Sequence, residues 1–182
     1  MNPTTLMVLS QVFGTITTVI TIIVLLQKKM SVILTLTILE NTMSALSNLC
    51  LLPGGISGAV ICAFAVIQAI ISRSYEKNDK KVPVPITVVF IFIYIAIGAI
   101  TYKVPADILP ALGATFYGLA VVQKKPFAYR ILMILNSLAW IVYELTLMNV
   151  SMIVTLIIQL IAAIVGMITI DILGKKKQEN NN

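Results

Sequence analysis

Histidine is absent from this 182-residue chain, which removes the commonest proton shuttle and metal ligand and any Ser-His-Asp constellation. Cysteine is scarce. Cys50 and Cys62 stand on either side of a turn with no cluster of ligands at metal spacing, and they read as small packing residues. Charge is scarce too: Asp, Glu, Lys and Arg make up 11% of the residues, under half the share of roughly 25% that soluble domains carry. A hydrophobic content of 59% and a mean hydropathy of +1.01 exclude a water-soluble domain. Glycine-rich phosphate loops and zinc-binding helix motifs are missing as well, so the residues point to no enzyme, no cofactor and no metal.

What the chain has instead is long uncharged runs. Leu6 to Leu26 and Ile86 to Tyr102 hold no charged residue, and about 18 or more apolar residues in a row read as a membrane-spanning helix. Seven spans are predicted: Thr5–Leu26, Ser31–Leu52, Ile56–Ser72, Val84–Tyr102, Ala106–Val122, Phe127–Leu147 and Val150–Leu173. The amino end lacks a basic region and a small-residue cleavage site, so the first span is expected to be retained. Arg73–Val82 is the one charged linker, and Pro83 and Pro85 suit the first turn after it, where a missing backbone donor costs least. The expected units are a first three-helix repeat (5–72), a cytoplasmic linker (73–83), a linker helix (84–102), a second three-helix repeat (106–173) and a cytoplasmic tail (174–182).

Two patterns fix the arrangement of these spans. Twelve of the thirteen basic residues, namely Lys28, Lys29, Arg73, Lys77, Lys80, Lys81, Lys124, Lys125, Arg130 and Lys175 to Lys177, fall on one side of a seven-span chain, and only Lys103 on the other. The positive-inside rule then places the amino end outside and the carboxyl end in the cytoplasm. It also accounts for the net charge of +6 without nucleic acid. The second pattern is a repeat: Gln27-Lys28-Lys29 returns as Gln123-Lys124-Lys125, 96 residues later. Three spans, one intervening span and three more give parallel repeats, because the single span restores the orientation of the second triplet. The fold expected is an all-α polytopic membrane protein with a 3+1+3 arrangement.

The same offset carries Glu40, Asn41, Ser44, Ser47 and Asn48 onto Asn136, Ser137, Trp140, Tyr143 and Glu144. On a helix, residues three, four, seven or eight apart share a face, so Thr37, Glu40, Asn41, Ser44 and Asn48 form a polar stripe on the second span and the matching residues form one on the sixth. A carboxylate is costly in hydrocarbon, which turns both stripes toward the bundle interior or a wet cavity. Glu40 matches Asn136 and Asn48 matches Glu144, so each of two layers holds one carboxylate and one amide if the repeats face each other. The layers are about 12 Å apart along the helix. A pathway for a small solute is one reading; hydrogen-bonded packing between helices is the other. Trp140, the single tryptophan, either stacks on a ligand or fills space against Ser44. Asp171 is expected to form a solvated salt bridge with Lys175. Small residues at Gly54, Gly58, Ala162 and Gly166 allow close helix contact, and Gly14, Gly113 and Gly118 read as packing notches or hinges.

The segments Gly14 with Leu26-Gln27-Lys28-Lys29, and Tyr117 through Phe127 with Arg130 and Trp140-Ile141-Val142-Tyr143, resemble the YgjV-type family of bacterial inner-membrane proteins over about Gly14 to Asp171. That resemblance implies the bacterial inner membrane and kinship with SWEET and semiSWEET sugar carriers, whose second-helix polar residue and sixth-helix tryptophan correspond to Ser44 and Trp140. Where those carriers have pocket asparagines, Cys62 or Gln68 and Thr155 or Gln159 are the nearest polar residues, and the first two spans have no interior proline. A small-solute carrier with Glu40, Asn41, Ser44, Asn48, Asn136, Ser137, Trp140, Tyr143, Glu144 and Gln159 at its site is the expected function. A non-transporting receptor or accessory scaffold is the alternative. The bilayer and a small solute are the expected partners, and self-association is left open.

Overall fold

An apolar run held away from water must satisfy its backbone amides and carbonyls within itself, and a helix does so for every interior residue. The computed structural model, which describes residues 3–50, 56–101, 105, 108–146 and 150–173, accordingly contains seven α-helices among the described residues. These are α1 (Pro3–Leu25), α2 (Met30–Leu49), α3 (Ile56–Lys77), α4 (Val84–Thr101), α5 (Ile108–Ala120), α6 (Pro126–Thr146) and α7 (Val150–Gly166), the last continuing into a π-helical turn at Met167–Ile172. Hydroxyls in these helices follow the same rule. Thr15, Thr17, Thr18, Thr35, Thr42 and Thr115 each donate to the carbonyl four residues back, which lets a threonine sit on an apolar helix without an unsatisfied group.

Helix α2 packs between α1 and α3, and α6 between α5 and α7; α1 touches α7, α3 touches α5, and α4 lies against α5 and α3. The interior holds Val24, Leu25, Ile33, Leu34, Tyr94, Val121 and Tyr129, while Val88, Phe92, Ile95 and Ile100 of α4 face outward. An outer surface of that kind is stable against lipid and not against water. Four helical stretches, Thr4–Leu25, Met30–Leu49, Ala59–Lys77 and Ile153–Ile172, are long and apolar enough to cross a membrane, and Val84–Ile100, Ile108–Ala120 and Pro126–Val142 are shorter apolar helices.

The linker differs from its expectation. α3 continues through Lys77, so half of Arg73–Val82 is helical. The helix stops by a Schellman cap: Lys80 N–H donates to Tyr75 O at 2.9 Å and Asp79 N–H to Glu76 O at 3.0 Å, with Asp79 at φ 52° in the left-handed position where glycine is usual. Composition marked where polarity begins, but the cap sets where the helix ends.

Candidate functional site

The α2 stripe bonds across to other helices at nearly every polar position. Thr37 Oγ1 lies 3.2 Å from Tyr129 Oη of α6. One turn on, Asn41 donates to Tyr117 Oη of α5 at 2.9 Å while also bonding Thr37 O, and Tyr117 Oη donates onward to Ala65 O of α3 at 3.3 Å. Ser44 accepts from Cys62 Sγ at 3.3 Å, and Ser47 meets Ser10 of α1. Asn48 turns back to Ser44 O of its own helix.

Glu40 lies about 15 Å from the start of α2 by helical rise, at the middle of a helix long and apolar enough to cross a membrane, whose hydrocarbon core is about 30 Å thick. Its Oε1 is 2.5 Å from Thr21 Oγ1, which is also 3.0 Å from Thr17 O. A threonine hydroxyl has one proton. Thr21 donates to Glu40 Oε1 and lies within donating distance of Thr17 O, so the carboxyl and the carbonyl compete for that one proton. Among the described residues no Lys or Arg pairs with Glu40.

On α6, Asn136 and Ser137 are buried, and Ser137 donates to Met133 O. A methyl placed on Gly113 of α5 would stand 2.7 Å from Trp140 Nε1 and 3.3 Å from Asn136 Oδ1, so Gly113 opens the space those side chains occupy. Gly113 and Tyr117 are one turn apart on α5. Asn41 and the Asn136/Trp140 pair therefore approach the same face of α5 from α2 and α6. No hydrogen bond joins Glu40 to Asn136 among the described residues. Gln159 is buried on α7. The side chains of Tyr143 and Glu144 lie outside the described residues, as do Gly54, Lys103 and Lys175 to Lys177, so the outer of the two expected layers is seen only at Asn48.

Thr21, Tyr117, Tyr129 and Tyr94 belong to the polar network but were not among the expected site residues. The repeat offset was the available signal for two of them, since Thr21 and Tyr117 are 96 residues apart and are the partners of Glu40 and Asn41. Tyr94 of α4 donates to Gln68 Oε1 at 2.9 Å, and Gln68 Nε2 donates to Gly118 O at 2.9 Å. Gln68 thus fastens α3 to α4 and α5 with its amide satisfied at both ends. Gly118 is a packing notch for that contact.

One expectation about charge is corrected: Asp171, expected in a solvated salt bridge, is largely enclosed and pairs with Arg130 at 2.5 Å, while Lys175 lies outside the described residues. Arg130, counted among the basic residues on one side, is fully buried. Arg130 also donates to Leu25 O at 2.7 Å and to Gln27 O. The cause is the end of α1, whose last carbonyls have no helical partner and draw a guanidinium into the bundle.

Two hollows lie on the outside of the bundle. One of about 260 Å³ runs between α1 and α7 along Ile22, Leu26, Ile158 and Val165, and one of about 540 Å³ runs between α4 and α5 along Ile95, Gly98, Ile108 and Leu112. Neither is lined by a stripe residue. No group of three or more His, Cys, Asp or Glu side chains could hold a metal among the described residues.

No curated protein and no solved structure matches the chain. Residues 8–173 match the Imp-YgjV family of bacterial inner membrane proteins, and the chain belongs to that family as a multi-pass protein of the bacterial inner membrane.

Proposed function

We propose that the chain is a small-solute carrier that alternates access at a polar site between two parallel three-helix repeats, α1–α3 and α5–α7, joined by α4. On this reading all seven helices span the membrane, the amino end faces outward and the carboxyl end faces the cytoplasm. The order of helix neighbours supports it: a twofold exchange of the triplets turns the α1–α7 contact into the α5–α3 contact, and both occur. The observation that carries the proposal is Glu40, a mid-depth carboxyl with a hydroxyl partner and no Lys or Arg partner among the described residues, in an interface crossed by Asn41–Tyr117 and Thr37–Tyr129. Ionisable groups at such depth are costly and mark solute or proton paths. The shared Thr21 hydroxyl adds a proton-dependent contact at that point. A sugar or another small polar molecule fits the amide, hydroxyl and indole groups of Asn41, Ser44, Asn136 and Trp140, in keeping with a SWEET-like architecture.

The scaffold reading draws on a different observation, the number of stripe groups already bonded to one another. Trp140 separates the two readings because it is the only tryptophan and reports on the site by its own fluorescence. Purified protein in lipid nanodiscs is titrated with a panel of monosaccharides, disaccharides, amino acids and organic acids. A saturable emission change with one class, lost or weakened in Asn41→Ala, supports the carrier; silence across the panel together with no uptake into reconstituted vesicles favours the scaffold. Orientation is tested separately. A cysteine at Lys80 in a chain lacking Cys50 and Cys62 should react with an impermeant maleimide only after cells are opened, and labelling of intact cells would overturn the topology.

A further inference from the structure

We propose that Arg130 is a latch that holds the two halves together at their cytoplasmic end, and that a crevice opens there when the latch parts. It gates the site named above and so rests on the carrier reading. Its guanidinium belongs to α6, in one half, yet two of its three partners are Leu25 O and Gln27 O, at the end of α1 in the other half. The third, Asp171, is on the π turn after α7, in the same half as Arg130. Any motion that parts the halves at this end breaks the two carbonyl contacts and leaves the ion pair whole. The cation then keeps its counter-charge when the crevice opens, and the separable bonds are neutral acceptors that water can replace.

Two local features are built around this contact. Gly166 lies against it: a methyl there would collide with Leu25 O and stand 3.0 Å from Arg130 Nε, so only a residue without a side chain lets α7 approach α1 here. The π turn begins at the next residue. In an α-helix, five residues advance about 500°, which would point Asp171 about 140° away from Gly166. In a π turn, residue i+5 stacks over residue i, which brings Asp171 back to the face where the guanidinium lies. Arginine is suited to the role because its planar fork serves three acceptors at fixed angles; a lysine ammonium is a point charge on a flexible stem.

The test measures the latch without a solute. Spin labels at Lys29 and Lys125, both exposed in turns of opposite halves, are placed in a chain lacking Cys50 and Cys62, and the distance distribution is recorded in nanodiscs. Two variants attack the α1 contact and leave the charge count unchanged: Arg130→Lys retains a cation for Asp171, and Gly166→Ala pushes Leu25 O away. A longer-distance population that grows in both supports the latch. Unchanged distributions in both, with helical content intact, overturn it and leave Arg130 a purely structural group. A shift in Arg130→Lys without one in Gly166→Ala also overturns it, because the effect would then not pass through α1. If the distances respond while no solute changes Trp140 emission or enters reconstituted vesicles, the carrier reading falls, and Arg130 is a clasp between the halves that gates no solute.

Discussion

Arg130, about 6 Å from the start of α6 by helical rise, reaches a carboxylate and two carbonyls on two other helix ends, whereas Glu40, at mid-depth, has one hydroxyl that it shares with a backbone carbonyl. Both groups are ionisable and both lie inside the bundle. The first is fully buried, and each of its three nitrogens donates to an acceptor; the second is half-buried and has no Lys or Arg partner among the described residues. A buried ion that is paired and hydrogen-bonded to more than one helix end holds helices in one arrangement, and removing a single partner is strongly felt. A carboxyl without a cation can change protonation as its surroundings change, and its loss is felt in function before it is felt in stability. The difference in position agrees with the roles proposed for them, since Arg130 is near an end of its helix and Glu40 is in the middle of its own.

The comparison breaks most visibly at Arg130. Arg130→Ala leaves Asp171, whose side chain is 14% exposed, without its counter-ion and uncaps Leu25 and Gln27, and a loss toward the lower end of about 3–5 kcal/mol is expected, read as a large fall in the thermal unfolding midpoint in detergent. Replacing both ions, Arg130→Met with Asp171→Leu, should recover much of it, because a buried pair is often no more stabilising than apolar residues of like size. A double variant as unstable as the single one would mean that the carbonyl contacts, not the ion pair, carry the stability. Next in size is Tyr117→Phe. It removes the hydroxyl that accepts from Asn41 and donates to Ala65 O, and a loss of about 1 kcal/mol, measured in the same way, is expected, because Asn41 keeps its bond to Thr37 O and only its second amide proton loses an acceptor.

That difference between the two regions was only half legible in the sequence. The helices and the α2 stripe were readable because apolar length and the three-to-four spacing of Thr37, Glu40, Asn41 and Ser44 are local properties. Arg130 and Asp171 were not, for two physical reasons. Positive residues near span ends are usually solvated, so the orientation count absorbed Arg130; and the π turn breaks the periodicity by which Asp171 would have been placed on a face. The partners of the stripe were intermediate. Tyr117 sits at the repeat position of Thr21, yet tyrosine is also common in apolar helices for its ring alone, and only the fold shows that its hydroxyl meets Asn41. The length of α3 was misread because an aspartate takes the place of the glycine that usually announces a cap.

Glu40→Gln sharpens the comparison from the other side. An amide keeps an acceptor toward Thr21 and the shape of the side chain, so the stability change should be about 0.6 kcal/mol or less, the usual size for a hydrogen bond between membrane helices. The pH dependence of uptake should flatten in reconstituted vesicles carrying whichever solute the Trp140 screen identifies, since the variant has no proton to exchange. Uptake with wild-type pH dependence would assign Glu40 to packing, alongside Arg130. Trp140→Ala should weaken solute binding with the pH dependence intact, because the indole contributes a stacking surface and no titrating group.

The smallest effect is expected outside the membrane, at the tether between the linker and the second Gln-Lys-Lys turn. Lys124 Nζ is 2.6 Å from Asp79 Oδ1 and 2.7 Å from Asp79 O. The hydrogen bond from Lys124, and secondly its charge, hold the Asp79 carboxyl below its ordinary value. A group whose folded value is depressed contributes stability that is fully present above the ordinary carboxyl range of about 4 and is lost as pH falls through the folded value. The side chain is exposed at 98%, however, so water and salt compete for it and the tether is screened at physiological ionic strength. Asp79→Asn keeps a residue that tolerates the left-handed backbone and removes the charge. Its unfolding midpoint should fall slightly at neutral pH and low salt, and match the wild type in 1 M salt or below the carboxyl range. Asp79→Gly tests the other half of the residue's role: it relieves the φ of 52°, which favours the cap, while losing the same tether. A larger fall for Asp79→Gly than for Asp79→Asn would show that the aspartate side chain, not its backbone position, holds the end of α3.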